Sequence, residues 1–128
     1  MKAVVKYDNV PGAVELREVP EPERVPPGKV LLRVRAASVC GSDVHAWQHK
    51  ASWRMNVPLI LGHEFCGTVE AVGEGVTGVR VGERVACETA AWVCGACVYC
   101  RSGLYNVSPC RKGYGALVDG AFTRYVIA

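Results

Sequence analysis

Short alternating runs of apolar and polar residues dominate the chain, and no segment carries a long helical period. Lys29-Val30-Leu31-Leu32-Arg33-Val34-Arg35-Ala36-Ala37 is β-branched and alternating, and it predicts a strand entering the core. Met1 to Lys6 predicts an opening strand, and Glu64 to Val72, Val79 to Cys87 and Ala121 to Ile127 predict three more, set apart by glycine-rich turns. Val19-Pro20-Glu21-Pro22 and Val25-Pro26-Pro27-Gly28 form an extended connector, because proline fixes its own torsion and withholds a ladder donor. After Cys40, Gly41 to Trp47 predicts a short helix capped by Ser42 or Asp43. The stretch from Cys94 to Pro109 has no usable period, so something other than an apolar face must organise it. The pattern predicts one mainly β, barrel-like domain over residues 1–128 with short helices and a metal-organised, Cys-rich lobe.

Composition narrows this picture. A chain of 128 residues, half of them hydrophobic, is long enough for one domain with a core. The 14 glycines and 7 prolines favour turns and short strands over a helical bundle. A formal net charge of +3, spread along the chain, argues against nucleic-acid or anionic-membrane partners. No apolar run approaches the length of a membrane span, and the first residues lack a signal peptide's apolar region and cleavage site, so the expected location is cytoplasmic. Seven cysteines, an odd number in that setting, argue for metal ligands or free thiols over a disulfide framework.

Three constellations carry candidate chemistry. The first joins Cys40 to Gly62-His63-Glu64. Thiolate and imidazole are the donors that zinc prefers, and a carboxylate serves as a further ligand or stands behind the others. The second is Cys94-x2-Cys97-x2-Cys100 on the aperiodic stretch. The third is Gly73-Glu74-Gly75-Val76-Thr77-Gly78, which fits the dinucleotide pattern Gly-x-Gly-x-x-Gly. That pattern binds pyrophosphate only where it opens a helix. The following Val79 to Val85 is short, β-branched and broken by Gly82, so a turn between strands is expected and no cofactor site. Trp47, Trp53 and Trp92 are candidates for a pocket wall near Cys40, although aromatics more often serve as plain core. His49 is expected to be exposed, and Cys66 and Cys87 to be buried, inert thiols.

The run Gly62-His63-Glu64-x2-Gly67-x5-Gly73-x2-Val76, together with Cys40-Gly41-Ser42-Asp43-Val44-His45, resembles the zinc signature of the medium-chain alcohol and polyol dehydrogenases, particularly the sorbitol and threonine dehydrogenase branches. The resemblance covers essentially the whole chain and implies a GroES-like, partly open β-barrel domain. It implies that Cys40 and His63 ligate a catalytic zinc, with Glu64 a ligand or a carboxylate behind them. Ser42 would hydrogen-bond the substrate hydroxyl and begin a proton relay, with His45 a later member. It also implies a structural zinc on Cys94, Cys97 and Cys100. The family's fourth cysteine position holds Ser108, and a cysteine follows two residues on. Two alternatives stay open: Cys110 replaces the missing ligand after a shift around Pro109, or the site is a weakened three-cysteine one or absent.

The implied activity is oxidation of a small alcohol or polyol with NAD(P), which the family binds in a Rossmann domain not expected within these residues. The chain alone is therefore expected to be inactive and to self-associate through an uncovered strand edge near Ala121 to Ala128. The alternatives from other classes are a non-catalytic, zinc-stabilised interaction module and a cochaperone that shares only the barrel architecture.

Overall fold

The computed structural model describes all residues, Met1–Ala128. Three open antiparallel sheets make up the domain. The strands are β1 (Lys2–Lys6), β2 (Val14–Glu18), β3 (Val30–Ser38), β4 (Leu59–Ile60), β5 (Glu64–Val72), β6 (Arg84–Cys87), β7 (Ala90–Trp92), β8 (Lys112–Gly113) and β9 (Tyr125–Ile127). They are ordered β2-β1-β4, β6-β5-β3-β9 and β7-β8. Two helices interrupt them, α1 (Gly41–Trp47) and α2 (Val98–Arg101), followed by a single 3₁₀ turn at Tyr105–Val107. The architecture is mainly β with open rather than closed sheets, which agrees with the GroES-like, partly open expectation. No helix is long and apolar enough to cross a membrane.

The central pair is β3 against β5. On β5, Phe65 and Val69 turn inward while Cys66, Thr68 and Glu70 lie on the less buried face, the period-2 alternation of a half-covered strand. Leu32, wholly buried on β3, joins them with Tyr114, Ala121 and Val126 in the main cluster. The Phe65 and Tyr114 rings meet edge to face with centroids 5.3 Å apart, a favoured aromatic geometry. Ala3, Val5 and Ile60 form a smaller core under the first sheet.

Two expected strands are shorter than the pattern predicts. Val79 to Glu83 is a turn closed by Glu83 N–H to Arg80 C=O and Gly82 N–H to Val69 C=O, so β6 begins only at Arg84. Ala121 to Arg124 joins no regular ladder. Its backbone instead stitches the sheets together, with Val4 N–H on Phe122 C=O, Ala121 N–H on Gly62 C=O and Phe122 N–H on Leu61 C=O. The glycine run at Gly73 leads into that turn and β6, with no helix behind it, as expected for a turn between strands.

Candidate metal centre

Sheet register brings the first constellation together. β3 and β5 run antiparallel with Ser38 opposite Glu64. Cys40 lies two residues beyond Ser38 and His63 one before Glu64, so the ladder delivers both to the same end of the sheet. Register shifts between Leu31/Leu32 and Val34/Ala36 mark irregularities on the way. One ligand atom from each of Cys40, His63 and Glu64 lies within 4.8 Å of the others. Gly62 sets the approach of His63: its φ is +94°, and a Cβ there would sit 2.5 Å from the Phe122 ring, so any other residue would be strained and crowded.

Helix α1 starts immediately at the site. Cys40, rather than Ser42 or Asp43, is its N-cap. Asp43 takes the third helical position, and its Oδ2 accepts from Cys40 N–H at 2.9 Å, which satisfies a donor the helix leaves open. The other carboxylate oxygen stands 3.5 Å from His63 Nδ1. A carboxylate there favours the ring proton on Nδ1 and leaves the Nε2 lone pair free. Nε2 meets the Ser42 hydroxyl at 3.1 Å. Asp43, only 6% exposed, is a residue of this candidate site that the sequence offers solely as a cap candidate. Glu64 is exposed, and its carboxylate accepts from Ser38 Oγ at 2.6 Å. That hydrogen bond, with one from Cys40, holds its carboxyl below the ordinary range.

Ser42 and His63 open onto a cavity of about 310 Å³ that Thr89, Arg111 and Tyr114 also line. Burial pushes the Tyr114 phenol up to about 12. Of the three tryptophans only Trp53 lines this cavity. Trp47 and Trp92 are 50% and 45% exposed, and Lys112 Nζ lies 5.1 Å over the Trp92 ring. His45 is exposed on α1 and does not reach the cavity, and His49 is also exposed. Cys66 and Cys87 are half-buried rather than buried, and burial raises the Cys87 thiol.

The second constellation also closes in space. The Cys94, Cys97 and Cys100 sulfurs lie within 4.8 Å of one another. Cys97 caps α2, its sulfur accepting from Cys100 N–H. Ser108, 6% exposed, places Oγ 3.3 Å from Cys97 Sγ. The same oxygen accepts from Cys110 N–H at 3.2 Å. The Ser108 hydrogen bond, with one from Cys100 N–H, pushes the Cys97 thiol down to about 6. Backbone N–H groups of Cys97 and Ala96 lower Cys94. Cys110 is exposed at the rim, and contact with the Cys94 thiol raises it. The serine hydroxyl, not the Cys110 thiol, thus stands inside the cluster. Neither cluster forms a disulfide, and both donor sets suit a soft, tetrahedral dication such as zinc.

Comparison with known proteins bears on the whole chain. The model of the alcohol dehydrogenase GroES-like domain matches residues 26–128. Sorbitol dehydrogenase of Halalkalibacterium halodurans is 46% identical over 130 aligned positions, covering 100% of this chain and 36% of that protein. L-Threonine 3-dehydrogenase of Bacillus subtilis is 47% identical, covering 98% of this chain and 36% of its own length. The cobalt- and zinc-bound thermostable alcohol dehydrogenase of Pyrobaculum aerophilum superposes with a TM-score of 0.84 at 31% identity, over 100% of this chain and 38% of that one. The chain thus spans a little over a third of the length of the relatives it matches. With Cys40, His63 and Glu64 gathered at one end of the central sheet, it belongs to the zinc-dependent medium-chain alcohol and polyol dehydrogenase family, in which it corresponds to the GroES-like domain.

Proposed function

We propose that this chain is the hydroxyl-binding, zinc-carrying part of an NAD(P)-dependent dehydrogenase of small alcohols or polyols. The observation that carries the reading is the convergence of Cys40, His63 and Glu64 beside a cavity into which Ser42 and His63 face. Zinc held there would act as a Lewis acid and bring deprotonation of a bound substrate hydroxyl near neutral pH. Cys40 and His63 would be ligands, with Glu64 a third ligand or a supporting carboxylate. Asp43 keeps the His63 ring turned and in one tautomer. Ser42 would hydrogen-bond the substrate hydroxyl and receive its proton. His45, exposed on α1, would take part only in a later, solvent-side step. Cys94, Cys97 and Cys100 would hold a structural zinc, with Cys110 the fourth ligand once the Pro109 segment shifts.

We place nicotinamide binding outside these 128 residues, because the Gly73–Gly78 run opens no helix. Chemistry by the chain alone is therefore expected to be absent, with NAD(P) and its hydride step supplied from outside these residues, by further sequence or a partner chain. Self-association is proposed through β9, which pairs with β3 alone and leaves its other edge free. The location is proposed to be cytoplasmic. Zinc-edge X-ray absorption with metal counting tests the central reading. Two zincs per chain are expected, with one lost in Cys40→Ser or His63→Ala. Unchanged metal content in both variants would sink it.

A further inference from the structure

Arg111 is a charge without a counter-charge in the wall of the cavity that Ser42 and His63 share. It is half-buried, and it takes part in none of the chain's ion pairs. Its one side-chain hydrogen bond runs from Nη2 to Thr89 Oγ1 at 2.5 Å, which leaves four of five guanidinium donors uncommitted. Gly113, which follows closely, offers no side chain to cover it; a Cβ there would already stand 3.9 Å from both terminal nitrogens.

The acidic groups nearby form no ion pair with it. Asp43, the cavity's one carboxylate, is tied to Cys40 N–H and faces His63. Glu88 lies in the adjoining cleft that Arg111 and Thr89 also border, and accepts from the Tyr105 hydroxyl at 2.9 Å. The guanidinium keeps donors free for a ligand, and its planar fork matches carboxylate and phosphate oxygens.

We propose that Arg111 makes this cavity a site for small hydroxy compounds bearing an anionic end, a carboxylate or phosphate monoester. The guanidinium and Thr89 hold the anion while a hydroxyl of the same molecule is presented at Ser42 and His63. A cavity of about 310 Å³ suits one such small molecule. The inference rests on reading the Ser42 and His63 end as the hydroxyl site, and it deepens that reading by naming the substrate's second handle.

The test is an NMR titration of the zinc-loaded chain with four probes: glycerol, glycerate, glycerol 3-phosphate and inorganic phosphate. At low salt at least one of the two charged diols, glycerate or glycerol 3-phosphate, should bind on the order of 10-fold or more tighter than glycerol, and whichever does names the anion. Inorganic phosphate should compete with it, and the preference should fade as salt rises. Arg111→Gln should abolish the preference while leaving glycerol binding and zinc content unchanged, and Arg111→Lys should restore part of it. Equal affinity for charged and neutral probes, or a preference that survives Arg111→Gln, would overturn the proposal. The hydroxyl reading fails separately. A preference that depends on Arg111, with glycerol binding indifferent to zinc and to Ser42→Ala, would support the anion site and refute the hydroxyl site.

Discussion

Replacing Asp43 by asparagine isolates what the carboxylate does for His63. Asp43 makes two contacts, accepting from Cys40 N–H at 2.9 Å and facing His63 Nδ1 at 3.5 Å. Asparagine keeps an acceptor for Cys40 N–H, so the first turn of α1 stays closed and the fold is retained. What it removes is the negative charge that fixes the imidazole tautomer and the orientation of the ring. Partners of this kind are worth about 10- to 100-fold in metal affinity, or roughly 1.4 to 2.7 kcal/mol. The low exposure of Asp43, 6%, places the effect toward the upper half of that range, because little water screens the pair. Competition of the chain against a chromophoric zinc chelator reads the affinity, and circular dichroism checks the fold. Weakening confined to one of two zincs is the expected result. An affinity within about 3-fold of the parent, with the fold intact, would refute the argument that Asp43 supports the ligand.

Three further outcomes follow from the geometry. Ser108→Cys puts a thiol at the oxygen 3.3 Å from Cys97 Sγ, and should tighten zinc at the lobe by about 10-fold or more, because a metal deprotonates a thiol far more readily than a hydroxyl; Cys110→Ser in that background should then cost nothing. Gly120→Ala should destabilise the chain by about 3 to 5 kcal/mol in urea unfolding, since overpacking is joined by strained sheet-stitching hydrogen bonds. Its Cβ would lie 2.1 Å from Gly62 C=O and 2.5 Å from Leu61 C=O, both backbone atoms without room to yield. Tyr114 holds its proton up to about 12 in the folded chain against an ordinary 10, so the unfolded state loses that proton first. Stability should be intact below pH 10 and fall by about 2 kcal/mol by pH 12, and Tyr114→Phe should remove that part of the loss.

The strand pattern was legible wherever one face of a strand is buried and the ladder is regular. β5 spans Glu64–Val72 as its alternation predicts. The pattern overshot at Val79 and Ala121, where the residues are β-branched or apolar but the backbone turns or links two sheets. It passed over β2, whose residues are mostly exposed, and over the two-residue strands β4 and β8, which exist only because a partner strand is present. Short strands have too few residues to show a period, and their pairing is a tertiary fact.

The residue types and spacings by themselves determined the donor sets. Cys94, Cys97 and Cys100 lie within one loop, and His63 and Glu64 adjoin each other, so their chemistry is local and survives any arrangement of the rest. The family resemblance, not spacing alone, named Ser108 as the odd residue of the lobe. Tertiary structure alone decided that Ser108 points inward while Cys110 stays at the rim, because the path around Pro109 is set by hydrogen bonds to neighbouring thiols and amides. It alone turned Asp43 from a helix cap into the partner of His63, and brought Arg111 into the same cavity. Those relations depend on sheet register and on segments distant in sequence folding against one another. A one-dimensional pattern carries the chemistry of each residue, and only packing determines which of them face each other.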